Sequence, residues 1–308
     1  MTRVLVATEH CHEFRELIET AQLPELAASY HESVDSALAA ASQAEVLFGA
    51  PDLLVPLLEH CPGLRWVQSS WAGVKPFIDA PRRGYTLTGV KDIFGPLMSE
   101  YVIGWLLALE RKIFEHAAST HWDDSPSPGL RDKSIGIMGT GSIGQHVAQT
   151  CQYFGMHVRG LNSSGKAVAG VEQSFALGDA DRFADGLDYL VCLLPQTPKT
   201  DNLVNARLLT RLNSDAIVLN AGRANCLVEA DLLSAIDSGQ VRHAVIDVMR
   251  EEPPAPDHPF WSHPGISITS HTSAPTIAGD IVDIFCRNYL RYRNGETLDY
   301  TVDFDKGY

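Results

Sequence analysis

One glycine-rich turn restricts the possible fold of this chain more than any other feature. Residues 133–155 read KSIGIMGTGSIGQHVAQTCQYFG, in which a short β-prone run leads into a G-x-G-x-x-G turn and then into an amphipathic helix. The order strand, glycine turn, helix is the fingerprint of a dinucleotide-binding unit, and residues 156–161 supply its second strand. We therefore predict a nucleotide site here rather than an ordinary turn.

Each glycine of this turn has a predicted task. Gly139 permits the tight turn, Gly141 lets the backbone approach a pyrophosphate, and Gly144 lets the helix pack closely on the strand. The amides of Ser142 and Ile143 begin the helix. Together with the positive end of the helix dipole, these free amides are expected to hold the phosphates.

Length, charge and cysteine content limit the class of protein. The 308 residues suggest two domains, and the net charge of −14 disfavours nucleic acid or an anionic membrane as a partner. The six cysteines are scattered, which is typical of buried free thiols in a reducing compartment. The chain begins with a strand pattern rather than a signal peptide, and it has no apolar run as long as a membrane span. We expect a cytoplasmic protein.

Strand and helix patterns alternate along the whole chain, which predicts an α/β fold with parallel sheets. The expected strands are residues 3–8, 44–49, 64–69, 86–89, 134–138, 156–161, 189–194, 216–220, 243–248 and 266–270. The expected helices are residues 13–21, 33–42, 52–60, 97–114, 143–154, 205–212, 229–238 and 277–293. An exposed loop is expected at 121–129, and the last helix is expected to return and pack on the first domain.

Three polar residues lie just beyond the carboxyl ends of predicted strands: Arg223, Glu252 and His271. In a parallel sheet these ends share the edge at which the glycine turn places a cofactor. An arginine can grip a substrate carboxylate, and a histidine oriented by a carboxylate can protonate a developing alkoxide. Taken singly, they could be a surface arginine, a solvated acidic loop and an ordinary histidine. Their joint placement favours hydride transfer to a 2-oxo acid.

A second candidate site follows another strand. Residues 69–74 read SSWAGV, small residues around a single tryptophan. Successive backbone amides there could form an anion-binding nest. A tight turn with a packed tryptophan explains the same residues equally well.

The ordered motifs resemble one family. Gly139 to Gly144 is followed by the segment Asn220-Ala221-Gly222-Arg223, then by Asp247-Val248 with Glu252-Pro253, and finally by His271-Thr272-Ser273-Ala274. This series looks like the signatures of the D-isomer-specific 2-hydroxyacid dehydrogenases. The earlier segments LRWVQSSWAGV and GPLMSEYVIGWLLALER resemble the glyoxylate/hydroxypyruvate reductase branch.

The resemblance implies a fold and an assembly. It implies two Rossmann-like domains, of which the first is completed by the C-terminal helix, and usually a homodimer. On this basis residues 1–98 with 274–308 are the expected substrate domain, and residues 99–273 the expected dinucleotide-binding domain.

The resemblance also implies residue roles, carried over by motif position. Arg223 would bind the carboxylate and carbonyl of the substrate, His271 would be the acid/base, and Glu252 its partner. Asp247 would lie near the nicotinamide carboxamide. The implied substrate-binding residues are Trp71, Ala72, Gly73, Val74 and Met98, with Phe94 and Phe48 as further pocket candidates. The implied cofactor-binding residues beyond the glycine turn are Leu194, Pro195, Thr200, Ala221, Gly222, Arg223, Asp247 and His271.

One departure concerns the cofactor. An NAD enzyme carries a carboxylate about twenty residues past the glycines to hold the ribose hydroxyls. Here that strand ends in LNSSGK, with no acid. Asn162, Ser163 and Ser164 can donate hydrogen bonds to a 2′-phosphate, and Lys166 adds positive charge. We predict NADP(H) as the preferred cofactor, with NAD possible.

Two alternative functions stay open at this point, and a third is disfavoured. An NAD-dependent dehydrogenase of the phosphoglycerate type is one, and a non-catalytic NAD(P)-sensing binding protein is another. Formate dehydrogenases of the superfamily need a neutral partner for the histidine, so Glu252 argues against them.

No metal site is convincing, because the cluster His10-Cys11-His12-Glu13 has neither helical ligand spacing nor a second matching cluster.

Overall fold

The computed structural model describes residues 1–305, and the chain divides into two compact units. The first unit contains Met1–Ile93 and the chain from Thr276 onward, and the second contains Phe94–Pro275. All six cysteines are free thiols, five of them buried, as their scatter predicts. Along the described residues no helix is both long and apolar enough to cross a bilayer.

The elements alternate as the sequence predicts. The strands are β1 (Thr2–Ala7), β2 (Leu26–His31), β3 (Val46–Gly49), β4 (Trp66–Ser69), β5 (Thr86–Thr88), β6 (Ser134–Met138), β7 (His157–Asn162), β8 (Gln173–Ala176), β9 (Tyr189–Cys192), β10 (Ala216–Asn220), β11 (Val241–Ile246) and β12 (Ile266–Ile268). The helices are α1 (Cys11–Thr20), α2 (Val34–Ala41), α3 (Pro51–Leu54), α4 (Lys75–Asp79), α5 (Gly95–Glu110), α6 (Ile113–Ala118), α7 (Ser142–Tyr153), α8 (Ala180–Ala184), α9 (Ala206–Leu209), α10 (Glu229–Asp237) and α11 (Ala278–Asn294).

The first unit is built on a five-stranded parallel sheet in the order β2-β1-β3-β4-β5. The C-terminal helix α11 packs on this sheet, as predicted. Its Phe285 ring stacks on Phe48 at 4.3 Å between centroids and on Trp66 at 5.4 Å. Buried Asn288 on the same helix donates to the Gln68 side chain at 3.2 Å. The helix is therefore part of the core of this unit.

The second unit contains a seven-stranded parallel sheet in the order β12-β11-β10-β9-β6-β7-β8. Its central strands β9 and β10 are buried at every position, because helices cover both faces of such a sheet. The strand order reverses between β6 and β9, which is where open α/β sheets bind ligands. Together the two sheets confirm the predicted α/β architecture of two Rossmann-like domains.

The structure differs from the predicted elements in several places. The short helices α4 and α8 are not predicted, and the helices expected over 52–60 and 205–212 are α-helical only over Pro51–Leu54 and Ala206–Leu209. The single helix expected over 97–114 ends at Glu110, because Lys112 has left-handed backbone (φ 48°) and α6 begins separately after it. Strands β2 and β8 were not predicted. They form the edges of their sheets, where residues are half-buried and the apolar alternation is weak.

Candidate active site

The candidate catalytic residues follow three adjacent strands. Arg223 comes after β10, Glu252 lies in the segment after β11, and His271 comes after β12. These strands are neighbours in the sheet and run parallel, so their carboxyl ends meet at one edge. All three side chains line one cavity of about 380 Å³, as predicted from their position in the chain.

His271 and Glu252 form a direct pair. The Nδ1 atom of His271 lies 2.9 Å from Oε2 of Glu252, and both side chains are about half exposed. The other carboxylate oxygen, Oε1, accepts the backbone N–H of Met249 at 2.9 Å. Glu252 is thereby fixed, and it in turn directs the Nε2 atom of His271 away from itself.

Arg223 supplies the positive charge of the cavity. Its guanidinium donates through Nη1 to the carbonyl of Gly222 at 2.8 Å, and its other donors make no hydrogen bond within residues 1–305. A second arginine, Arg250, also lines the cavity but is bound elsewhere. It donates to the carbonyls of Asn225 and Leu227 at 3.1 and 2.6 Å, and so ties the segment after Arg223 to the segment before Glu252.

The turn that carries His271 has an unusual backbone. Ser270 and His271 both adopt left-handed conformations, with φ of 53° and 58°. Asp247, 1% exposed, holds this turn: its carbonyl accepts the His271 amide at 2.7 Å, and its carboxylate accepts the amides of Thr272 and Ser273 at 2.8 and 3.2 Å. The carboxylate of Asp247 thus already has partners within the protein, and the contact to a nicotinamide carboxamide stays a prediction.

The glycine turn has the geometry that its fingerprint predicts. Gly139 has φ of 97°, and a Cβ on Gly144 would stand 2.0 Å from the Gly139 carbonyl oxygen, so α7 could not pack so closely with any other residue. A Cβ on Gly141 would meet no atom within 4 Å, which leaves space beside the α7 N-terminus for a ligand. The amides of Ser142 and Ile143 lie in this first, uncapped turn.

The loop after β7 carries the predicted 2′-phosphate residues. Asn162 organises this loop: its Nδ2 donates to the Thr140 hydroxyl and the Lys166 carbonyl, both at 3.0 Å, and its Oδ1 accepts the Ser164 amide at 3.1 Å. Ser163, Ser164 and Lys166 are exposed. The side-chain donors of Asn162 are therefore used within the loop, and the Ser164 hydroxyl also donates to Asn162 Oδ1, at 3.2 Å. The Ser163 hydroxyl and the Lys166 ammonium make no hydrogen bond within residues 1–305 and are accessible to a ligand.

The loop after β9 is held by its own hydroxyl groups. The side chain of Thr200, a residue that is 2% exposed, donates to the carbonyl of Pro195 at 2.8 Å and accepts the Thr197 amide at 3.0 Å. Leu194 and Ala221 are buried as well. These residues shape the loop, and their direct contacts with a cofactor stay predictions, as do those of Gly222.

The segment 69–74 in the first unit is a turn, but its tryptophan is not packed. The Trp71 side chain is 44% exposed, and its amide donates to the Ser69 hydroxyl at 3.1 Å. The amides of Ala72, Gly73 and Val74 find no acceptor among the described residues. This arrangement favours the anion-binding nest over the packed turn.

Three aromatic or apolar pocket candidates are buried. Phe48 is fully buried and stacked on Phe285, so the expectation that it shapes a substrate pocket is wrong. Met98 is 4% exposed within the core of the second unit, and Phe94 is 7% exposed. A direct substrate contact of Met98 stays a prediction.

Two residues near His271, Thr269 and Tyr101, are not among the site residues predicted from the sequence. Thr269 Oγ1 lies 2.6 Å from Asp247 Oδ1, and the Tyr101 hydroxyl lies 2.8 Å from Thr269 Oγ1. Thr269 follows β12 directly and could have been singled out by position. Tyr101 is one aromatic residue in the apolar helix α5, and nothing in that helix connects it with the site.

Comparison with known proteins identifies the family. The family model described as "D-isomer specific 2-hydroxyacid dehydrogenase, NAD binding domain" matches residues 103–273. A family protein from Aeromonas salmonicida subsp. salmonicida A449 is 38% identical, with 99% of each chain covered and a TM-score of 0.91. An NADPH-dependent glyoxylate/hydroxypyruvate reductase from Sinorhizobium meliloti, solved with NADP and sulfate, is 29% identical over 100% of both chains, with a TM-score of 0.83.

A third similar structure is a probable 2-hydroxyacid dehydrogenase from Rhizobium etli CFN 42, solved with NADP, HEPES and L(+)-tartaric acid. It is 26% identical over 100% of both chains, with a TM-score of 0.84. The family match covers more than half of the chain and includes the glycine turn, Arg223, Glu252 and His271. The chain belongs to the D-isomer-specific 2-hydroxyacid dehydrogenases, a family of NAD(P)-dependent oxidoreductases.

Proposed function

We propose that this protein is an NADP(H)-preferring reductase of small 2-oxo acids, of the glyoxylate and hydroxypyruvate type, that forms D-2-hydroxy acids. The observation that carries the proposal is the cavity shared by Arg223 and the His271–Glu252 pair. Arg223 can bind the carboxylate of a 2-oxo acid in this cavity, and His271 can donate a proton to the carbonyl oxygen of the same molecule.

The residues present fit a dinucleotide. The open space beside Gly141 and the free amides at the start of α7 suit a pyrophosphate. Exposed Ser163, Ser164 and Lys166 suit a 2′-phosphate, and this loop contains no carboxylate that would repel it. When bound, the dihydronicotinamide supplies the hydride.

The protein residues then have separate tasks. Arg223 binds the substrate carboxylate and polarises the adjacent carbonyl. His271 delivers a proton from Nε2 to the carbonyl oxygen as negative charge develops there. Glu252 accepts the Nδ1–H of His271, which sets the tautomer and stabilises the positive imidazolium. The free amides of residues 72–74, in the first unit, form a separate candidate site for an anion.

Two relatives support the cofactor and substrate class. The Sinorhizobium meliloti reductase is named as NADPH-dependent and as acting on glyoxylate and hydroxypyruvate. The Rhizobium etli relative was solved with NADP and a 2-hydroxy acid, L(+)-tartaric acid. Neither has a sequence close enough to carry its substrate over to this chain, so the substrate assignment rests on the cavity chemistry together with these two cases.

The test is a substrate and cofactor screen. The purified protein is assayed for NADPH and NADH oxidation with glyoxylate, hydroxypyruvate and larger 2-oxo acids. We expect turnover with at least the small acids, a higher kcat/KM with NADPH, and a loss of about 100-fold or more in kcat/KM for Arg223→Ala, because a charged hydrogen-bonding group is removed. Tight NADPH binding without turnover of any acid would instead indicate a sensor. A strong NADH preference would refute the cofactor assignment.

We also propose that the protein is a homodimer. Phe114 and Trp122, in the second unit, are 57% and 91% exposed. Exposed apolar patches mark protein–protein contacts, and these two side chains are our candidates for the dimer contact. Light scattering should then give twice the chain mass of 33.7 kDa. A monomeric mass at micromolar concentration would contradict this.

A further inference from the structure

The turn that presents His271 depends on support from outside itself. Two consecutive non-glycine residues, Ser270 and His271, have left-handed backbone, which L side chains rarely adopt. Such conformations persist only where surrounding contacts hold them. We propose that Tyr101 on α5 is a positioning residue for His271, acting through Thr269 and Asp247. This inference rests on the proposed function, in which His271 is the proton donor.

The chain of hydrogen bonds has one direction. An ionised Asp247 carboxylate can only accept, so the Thr269 hydroxyl at 2.6 Å must donate its single hydrogen to it. The Thr269 oxygen is then an acceptor, and the Tyr101 hydroxyl at 2.8 Å must be the donor. Tyr101 thus completes the hydrogen bonding of Thr269, which completes that of Asp247.

Asp247 connects these hydroxyl groups to the turn that carries His271. Its Oδ1 receives both the Thr269 hydroxyl and the Thr272 amide, and its Oδ2 receives the Ser273 amide. Its backbone carbonyl receives the His271 amide at 2.7 Å. Every residue from 269 to 273 except Ser270 therefore makes a hydrogen bond to Asp247. A rotation of that carboxylate would move the turn and the imidazole with it.

Tyr101 is suited to anchor such a network. It lies within the 16-residue helix α5, between residues of that helix that are packed in the core, so its position is set by the helix and not by the turn. Burial raises the pKa of Tyr101 well above its ordinary value, although the hydrogen bond with Thr269 lowers it. The hydroxyl therefore keeps its proton and remains a donor at any working pH.

The experiment removes single hydroxyl groups. Tyr101→Phe and Thr269→Val should each lower kcat about five- to tenfold, the range expected from one lost hydrogen bond in a positioned network. The KM for the 2-oxo acid and the Kd for NADPH should stay within about twofold, because both variants leave Arg223 and the glycine turn unchanged. Thr269→Ser retains the hydroxyl and should restore kcat. The double variant Tyr101→Phe/Thr269→Val should be no slower than the single variants, since both break the same chain.

A matched control separates positioning from general loss of packing. Tyr189→Phe removes a buried tyrosine hydroxyl elsewhere in this unit, at the first residue of β9 and so at the opposite end of the sheet from His271. It should leave kcat unchanged, and Tm is recorded for all variants. Wild-type kcat in Tyr101→Phe, or a fall in Thr269→Ser as large as in Thr269→Val, would overturn the inference. A wild-type protein without 2-oxo acid reductase activity would instead overturn the proposed function.

Discussion

Glu252 shows how much one side chain can decide. One of its oxygens accepts the Met249 amide and the other faces His271 Nδ1, both at 2.9 Å. The first contact holds the carboxylate in place, and the second orients the imidazole. Neither oxygen is spare, so the role of the residue depends on its having two equivalent acceptors.

Replacing Glu252 by glutamine should therefore break one of the two contacts. A glutamine side chain has one acceptor oxygen, and its NH₂ group cannot accept from either Met249 or His271. We expect Glu252→Gln to lower kcat for 2-oxo acid reduction about tenfold or more. Glu251→Gln makes the same chemical change at the exposed neighbouring position and should retain wild-type kcat. Equal activities for the two variants in a steady-state assay would show that the pair has no role.

The cofactor preference can be tested at Ser163. This side chain is exposed in the loop after β7 and makes no hydrogen bond within the described chain, so a change there leaves the contacts of Asn162 intact. Ser163→Asp should lower kcat/KM with NADPH by about tenfold or more, because the new carboxylate repels a 2′-phosphate. The NADH value should fall less or rise. Ser163→Ala serves as the control for loss of the hydroxyl alone, and a parallel fall with both cofactors after Ser163→Asp would count against a 2′-phosphate site in this loop.

At the scale of elements, the junction of β6 and α7 sets the geometry of the nucleotide site. The strand ends at Met138, the chain turns through Gly139, and α7 starts at Ser142. Close contact between helix and turn requires the absence of a Cβ at Gly144. The same contact directs the free amides of α7 to the carboxyl edge of the sheet.

Gly144→Ala should separate these elements. The added Cβ would lie 2.0 Å from a backbone oxygen, which must move, and overpacking of this kind costs roughly 1–3 kcal/mol. Gly104→Ala adds the same methyl group in α5 where no atom lies within 4 Å, and should instead stabilise by roughly 0.5–1 kcal/mol. Urea unfolding midpoints and the Kd for NADPH measure both effects. An unchanged NADPH Kd in Gly144→Ala would indicate that the turn does not bind the nucleotide.

On the scale of the whole molecule, each unit contains a histidine that its surroundings keep neutral. Burial is the main cause that lowers the pKa of His31 in the first unit and of His243 in the second. For His243, neighbouring Arg242 and His263 lower the pKa further, whereas Glu115 raises it. Protonation of either histidine in acid therefore acts against the folded state.

The sign of the pH effect follows from the lowered values. Below the ordinary pKa near 6.5, the unfolded chain binds a proton at His243 that the folded chain does not, so stability falls as the pH decreases from there through the folded pKa. His243→Gln cannot gain this charge and should lose less stability than wild type between pH 7 and 5. His60→Gln, at an exposed site, should follow the wild-type curve. Tm across this range is the measurement, and parallel curves for His243→Gln and wild type would contradict the assignment.

Much of the site was determined by the sequence alone, because its signals are local. The glycine turn is a contiguous motif, and its three tasks can be read from the strand before it and the helix after it. Arg223, Glu252 and His271 are far apart in the chain, but each follows a strand that the sequence predicts. Because parallel strands bring their carboxyl ends to one edge of a sheet, the sequence was sufficient to predict that these three residues lie together.

Only the tertiary structure decided how those residues are supported. Tyr101 and Thr269 are 168 positions apart, and no periodicity or spacing connects a tyrosine in an apolar helix with a turn after β12. Phe48, within the strand predicted over 44–49, is a pocket candidate from the sequence, yet α11 returns and its Phe285 ring stacks on it. Local patterns specify elements and their ends, whereas the contacts between elements distant in the chain depend on how their faces pack, and the sequence pattern does not record that.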